Sequence, residues 1–166
     1  MSVHDLVLTP TGLRYGGRLY PCSIGRGGIT AAKREGDGAT PAGSHRVVMT
    51  LYRPDRIAAP APWARPILPG DLWSDASNAP EYNQWVRAPY APSHEALRRS
   101  DPLYDLILVT DWNWLDATPG AGSCIFIHQW RRPGYPTEGC VALKRNHLHH
   151  LAGKIMPETR LIVRKA

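Results

Sequence analysis

Apolar and polar positions alternate over residues 3–24, broken at "PTG" and "YGG". Alternation marks half-buried strands, and breaks of this kind suit tight turns, so two or three short strands are expected here. "HRVVMTLYR" reads as another strand. Two later runs, "YDLILVT" and "SCIFIH", are almost continuously apolar, and the second ends at His128. A strand without polar alternation is covered on both faces, which puts "YDLILVT" near the middle of a sheet. "RLIVR" supplies a last strand.

Helical signals are few. Ser93 is placed to cap a short helix over "SHEALRRS". Asn146 is placed to cap another, with Leu148, Leu151, Ala152 and Ile155 on one face. Between the regular segments lie two irregular ones. "GRGGITAAKREGDGATPAGSHRVV" is too rich in Gly, with charges inserted, to form a regular element ahead of its final strand residues. It has no Walker Lys after its glycines and no helix opening behind it, so it is expected to pack beside a site rather than cradle phosphate. Residues 54–92 are rich in Pro and Trp and too aromatic for a linker. They read either as a loop folded over the core or as one wall of a binding cleft.

Composition agrees with this pattern. Sixteen Pro and 15 Gly against a single Phe favour many turns and short strands over a helical bundle. The expected fold class is mainly β with one or two short helices. No repeat or linker divides the chain, so residues 1–166 are expected to form one domain. The net charge is +6, but Lys and Arg are scattered and no nucleic-acid-binding pattern appears, so no nucleic-acid partner is expected. No run reaches membrane-spanning length, and "MSVHDLVLTPTG" lacks the basic and apolar regions of a secretory leader. Three cysteines are too few, and odd in number, for a disulfide framework. These features together predict a cytoplasmic location.

The candidate chemistry lies in "FIHQWRRPGYPTEGCVAL". His128 closes an apolar strand, and Cys140 follows Gly139 after a loop of eleven residues. An imidazole beside a thiol takes its proton or pairs with the thiolate. A helix starting just past Cys140 would lower the thiol pKa further. Amides near Gly139 and Cys140 would suit an oxyanion. Plainer readings are a buried structural cysteine and a hydrogen-bonded core histidine. A zinc site is another, because Cys124, His128, Cys140 and His147 are potential ligands, although no C-x-x-C or H-E-x-x-H occurs. Cys124 lies four residues before His128, so strand alternation would put both on one face.

The succession "KREGDGATPAG", "IFIH" and "TEGCVAL" resembles the YkuD-type L,D-transpeptidase family, over about Gly25 to Leu143. The resemblance implies a β-sandwich or barrel-like catalytic domain that uses neither metal nor cofactor. It implies Cys140 as nucleophile, His128 as base and Gly139 as the glycine before the nucleophile. The implied partner is a peptidoglycan-derived peptide, cleaved between the L-centre of a diamino acid and D-Ala. An amine acceptor then gives transpeptidation, and water gives L,D-carboxypeptidase activity, as in muropeptide recycling. Many members carry His where this chain has Glu138, a basic residue where it has Ala142, and some have Gly or Ser at Gln129. Recognition of substrate carboxylates is therefore assigned to Arg131 or Arg132, through a bidentate pair. A catalytically idle module that grips cell-wall fragments, and a zinc-dependent hydrolase, are the alternative functions.

Overall fold

The computed structural model describes residues 2–165. The alternating N-terminal stretch forms four short strands: β1 (Leu6–Thr9), β2 (Gly12–Tyr15), β3 (Arg18–Tyr20) and β4 (Cys22–Ser23). The Gly-rich segment carries β5 (Ile29–Thr30) and β6 (Thr40–Pro41), and then runs into the long β7 (Gly43–Tyr52). Strands β8 (Arg65–Pro66), β9 (Asp71–Ser74), β10 (Trp85–Arg87) and β11 (His94–Ala96) follow. The two apolar runs give β12 (Leu106–Thr110) and β13 (Phe126–Gln129). After them come β14 (Val141–Leu143), the helix α1 (Arg145–Ala152) and β15 (Arg160–Val163).

The main sheet runs β3-β2-β1-β15-β7-β12-β13-β14-β4, with β8 added to β7. Its two end strands, β3 and β4, are separated in sequence by Pro21 alone. The two edges therefore meet, and the sheet curls into a nearly closed barrel. The fold is mainly β, as expected, with one short helix among the described residues.

Strand β12 shows why an unbroken apolar run was needed. Leu106 and Leu108 face a core inside the curled sheet, while Ile107 and Val109 face a second core outside it. The inner core is filled by Leu6, Leu13, Val47 and Ile127 and plugged by Leu148, Leu151 and Ala152 of α1. The outer core holds Trp73, Phe126, Leu97 and Ile67. It is roofed by a small antiparallel sheet, β10-β9-β11, most of which comes from the Pro- and Trp-rich segment. Trp73 meets Phe126 edge-on at 5.1 Å, and its indole N–H donates to Asn83 Oδ1 at 2.9 Å. That segment is thus a folded-over roof. It also contributes Asp75 to the wall of a cleft that His128 and Cys140 line.

Two helix expectations change. "SHEALRRS" forms no helix: His94–Ala96 are β11, with Glu95 in register with Trp73. The local helix formers Glu95, Ala96 and Leu97 are overruled by pairing to β9 and by burial of Leu97 in the outer core. Helix α1 is present, but Lys144 is its N-cap and no side chain caps it, so Asn146 lies inside the first turn. Ile155 lies beyond the helix end yet is buried with the same core.

Phe126 bridges the roof and the sheet, being 1% exposed and packed on both Trp73 and Tyr104. Phe126→Ala should destabilise the fold by about 3–5 kcal/mol, read from urea unfolding midpoints at unchanged slope.

Candidate active site

Strands β13 and β14 run parallel, with Ile127 opposite Val141 and His128 opposite Ala142. Side chains in register share a face, and neighbours along a strand alternate. Ile127, Val141 and Leu143 therefore enter the inner core. Phe126, His128, Cys140 and Ala142 turn the other way. His128, Cys140 and Ala142 line a cleft of about 530 Å³, together with Cys124, Tyr104 and Arg131.

Cys140 is 8% exposed. Its thiol donates to the Cys124 carbonyl at 3.0 Å and accepts the Phe126 N–H at 3.4 Å. Burial, then the charge of Glu95, push its pKa up to about 12; the Phe126 N–H and Lys33 oppose this. The expected lowering by a helix N-terminus does not occur. Cys140 is followed by β14, and α1 starts only at Arg145.

His128 is also buried, and its Nδ1 lies 2.7 Å from the Gln129 carbonyl oxygen. A carbonyl only accepts, so Nδ1 carries the proton and the Nε2 lone pair is the free one. Burial pulls the His128 pKa down to about 4 against the support of that hydrogen bond, with the positive charges of Arg99 and Arg131 adding to the fall. The Tyr104 ring meets the imidazole edge-on at 5.3 Å. The resting site is thus a neutral thiol and a neutral imidazole, not a thiolate–imidazolium pair.

The backbone before the thiol is tightly held. Gly139 has φ +140°, and a Cβ there would lie 2.8 Å from the Ala39 carbonyl oxygen, so a side chain is excluded twice over. Thr40 Oγ1 donates to the Gly139 carbonyl at 2.8 Å and accepts the Gly25 N–H at 2.9 Å. Arg26 N–H donates to the Thr137 carbonyl at 2.8 Å. The Gly-rich segment therefore packs beside the site. The Gly139 N–H is taken by Thr137 Oγ1 at 3.1 Å, which leaves the Cys140 N–H as the nearer candidate for an oxyanion.

Arg131 and Arg132 are both exposed and stack on one ring, that of Tyr135, at 5.8 and 4.8 Å. Of the two, Arg131 lines the cleft. Cys124 lines it as well, but not through strand alternation: it lies ahead of β13 with φ +56°, its N–H held by Asn83 Oδ1 at 3.1 Å. The zinc ligands suggested by the sequence are not assembled. His147 sits in a separate groove against Tyr20, and among the described residues no three His, Cys, Asp or Glu gather as a metal site requires. Tyr104, Glu95, Asp75, Glu35 and Lys33 also line the cleft. Sequence reasoning assigned none of them a role, although Lys33 and Glu35 lie in the Gly-rich motif expected beside the site and Asp75 in the segment read as a possible cleft wall. Tyr104 had one usable signal, its position just ahead of the central apolar run.

The family model of the YkuD L,D-transpeptidase catalytic domain matches residues 9–163. The chain belongs to this family, whose enzymes act on peptidoglycan. No curated protein and no solved structure matches it.

The buried neutral His128 has a consequence for stability. The unfolded imidazole takes up a proton near pH 6.5, while the folded one resists until about pH 4. The unfolded chain therefore gains protons first, and stability should fall as pH drops from about 6.5 to 4, by about 3 kcal/mol. Urea midpoints measured across that range should show the fall, and His128→Gln should remove most of it.

Proposed function

We propose that Cys140 and His128 carry out acyl transfer on a peptidoglycan stem peptide, cleaving the bond between the L-centre of its diamino acid and the terminal D-Ala. The observation that supports this most is that a protonated thiol just ahead of β14 and an imidazole on β13 whose Nε2 is unprotonated line the same cleft. Cys140 Sγ attacks the carbonyl carbon while His128 Nε2 receives the thiol proton. The Phe126 N–H supports the sulfur as negative charge develops on it. The Cys140 N–H takes the oxyanion. Collapse expels the D-Ala amine, which leaves with the proton from His128, and a thioester remains on Cys140. Arg131, at the rim, is placed to meet a substrate carboxylate.

We assign water as the acceptor, making the reaction an L,D-carboxypeptidation of soluble muropeptides. Three free cysteines suit a reducing compartment such as the cytoplasm, where such fragments are soluble. The experiment is incubation with a tetrapeptide muropeptide, products followed by mass. Release of D-Ala with the matching tripeptide is expected; a joined product would reassign the acceptor to an amine.

Variants should fall in a definite order when D-Ala release is measured at equal folded concentration. Cys140→Ala should be inactive. His128→Ala should be slower by about 10²–10⁴-fold, the usual loss when a general base is removed. Cys124→Ala should keep most activity, because it is the Cys124 backbone carbonyl that the Cys140 thiol meets, and alanine retains it.

A further inference from the structure

The charges lining the cleft do not balance. Two of its cations are already paired with carboxylates that do not line it: Lys33 with Asp37, and Arg99 with Asp101 at 2.6 Å. Three of its carboxylates, Glu35, Asp75 and Glu95, have no ion pair among the described residues. Glu35 accepts hydroxyls from Tyr82 at 2.5 Å and Ser123 at 2.8 Å. Glu95 accepts the Tyr104 hydroxyl at 2.5 Å. Asp75 Oδ1 is out of contact with solvent and accepts no hydrogen bond, a state that a buried carboxylate oxygen leaves only by gaining a donor. The remaining cleft cation, Arg131, stacks on Tyr135 in the exposed loop between base and nucleophile.

Glu95 is the member of this group that bears on the reaction. It is in register with the buried Trp73, and its Tyr104 partner packs edge-on to His128. Its charge adds to burial in opposing ionisation of Cys140; its own ionisation is opposed first by burial and then by the charges of Asp75 and Glu35, and is favoured by the Tyr104 hydroxyl and by Arg99. A cation placed against Glu95 would relieve both repulsions at once. Among the described residues, no three of the carboxylate, His or Cys side chains assemble as a metal site, so the fitting cation is a hydrogen-bond donor.

We propose that Glu95, backed by Asp75 and Glu35, is a specificity-determining residue that takes a protonated amine of the substrate beside Cys140. This rests on Cys140 being the nucleophile. The ammonium pairs with Glu95 and cancels the negative charge that adds to burial in keeping the thiol protonated. The correct substrate thereby eases its own attack. A stem peptide offers two such amines, that of the diamino acid side chain and that of the peptide N-terminus.

The test compares D-Ala release from three tetrapeptides: both amines free, side-chain amine acetylated, and N-terminal amine acetylated. For the wild-type protein, kcat/KM should fall about tenfold or more with one of the two acetylated peptides, the scale of one charge-assisted hydrogen bond, and the peptide affected identifies the amine. Glu95→Gln keeps an acceptor for Tyr104 and should shrink that difference to about threefold or less. It should also shift the pH profile of Cys140 alkylation by iodoacetamide to lower pH at an unchanged urea midpoint, which separates lost charge from a loosened site, since easing burial would lower the thiol pKa as well. Equal discrimination by wild type and Glu95→Gln, or no discrimination by wild type, would overturn the assignment. If wild type releases D-Ala from none of the peptides, the acyl-transfer reading fails. Calorimetric binding of the same three peptides to Cys140→Ala, with and without Glu95→Gln, then decides for Glu95 by the same comparison.

Discussion

Parallel pairing of β13 with β14, with His128 opposite Ala142, divides this part of the sheet into a packed side and a cleft side. Ile127, Val141 and Leu143 fix the two strands into the inner core, where a one-residue slip would turn each of them outward. The same register sends His128 and Cys140 to the cleft. Stability and reactivity are therefore set by one set of contacts. The Gly-rich segment completes the arrangement from the other side, through Thr40 to the Gly139 carbonyl and through the close approach of Ala39 to Gly139.

Burial gives the site its chemical character. Cys140 and His128 are both kept out of water, and burial disfavours the charged form of each. The thiol rests against the Cys124 carbonyl and the imidazole against the Gln129 carbonyl, so the resting protein holds no exposed thiolate. In the proposed reaction, proton transfer from sulfur to nitrogen then accompanies attack on the substrate. The charge of Glu95 adds to the cost of ionising the sulfur, and a positive group placed between them would ease it.

Much of this was legible in the chain. The alternating N-terminal strands, the apolar β12 and the helical face of Leu148, Leu151 and Ala152 follow from periodicity. The family likeness was carried by short motifs whose members meet in space, Thr40 and Gly139 being the clearest pair. What stayed hidden is non-local. Glu95 sits among residues that favour a helix, and only pairing of β11 with β9 makes it a cleft residue. Cys140 looked like a helix-activated thiol because its distance to α1 is short in sequence, yet β14 intervenes. The neutral state of the pair depends on burial, which spacing does not report.

Covalent capture addresses the central claim most directly. The protein is mixed with tetrapeptide, quenched in acid within one turnover, and its intact mass and peptide map are recorded. The account predicts a transient adduct with the mass of the tripeptidyl acyl group, localised to the peptide containing Cys140 and absent in Cys140→Ala. Single-turnover release of D-Ala with no adduct at any quench time, or an adduct on Cys124, would contradict it.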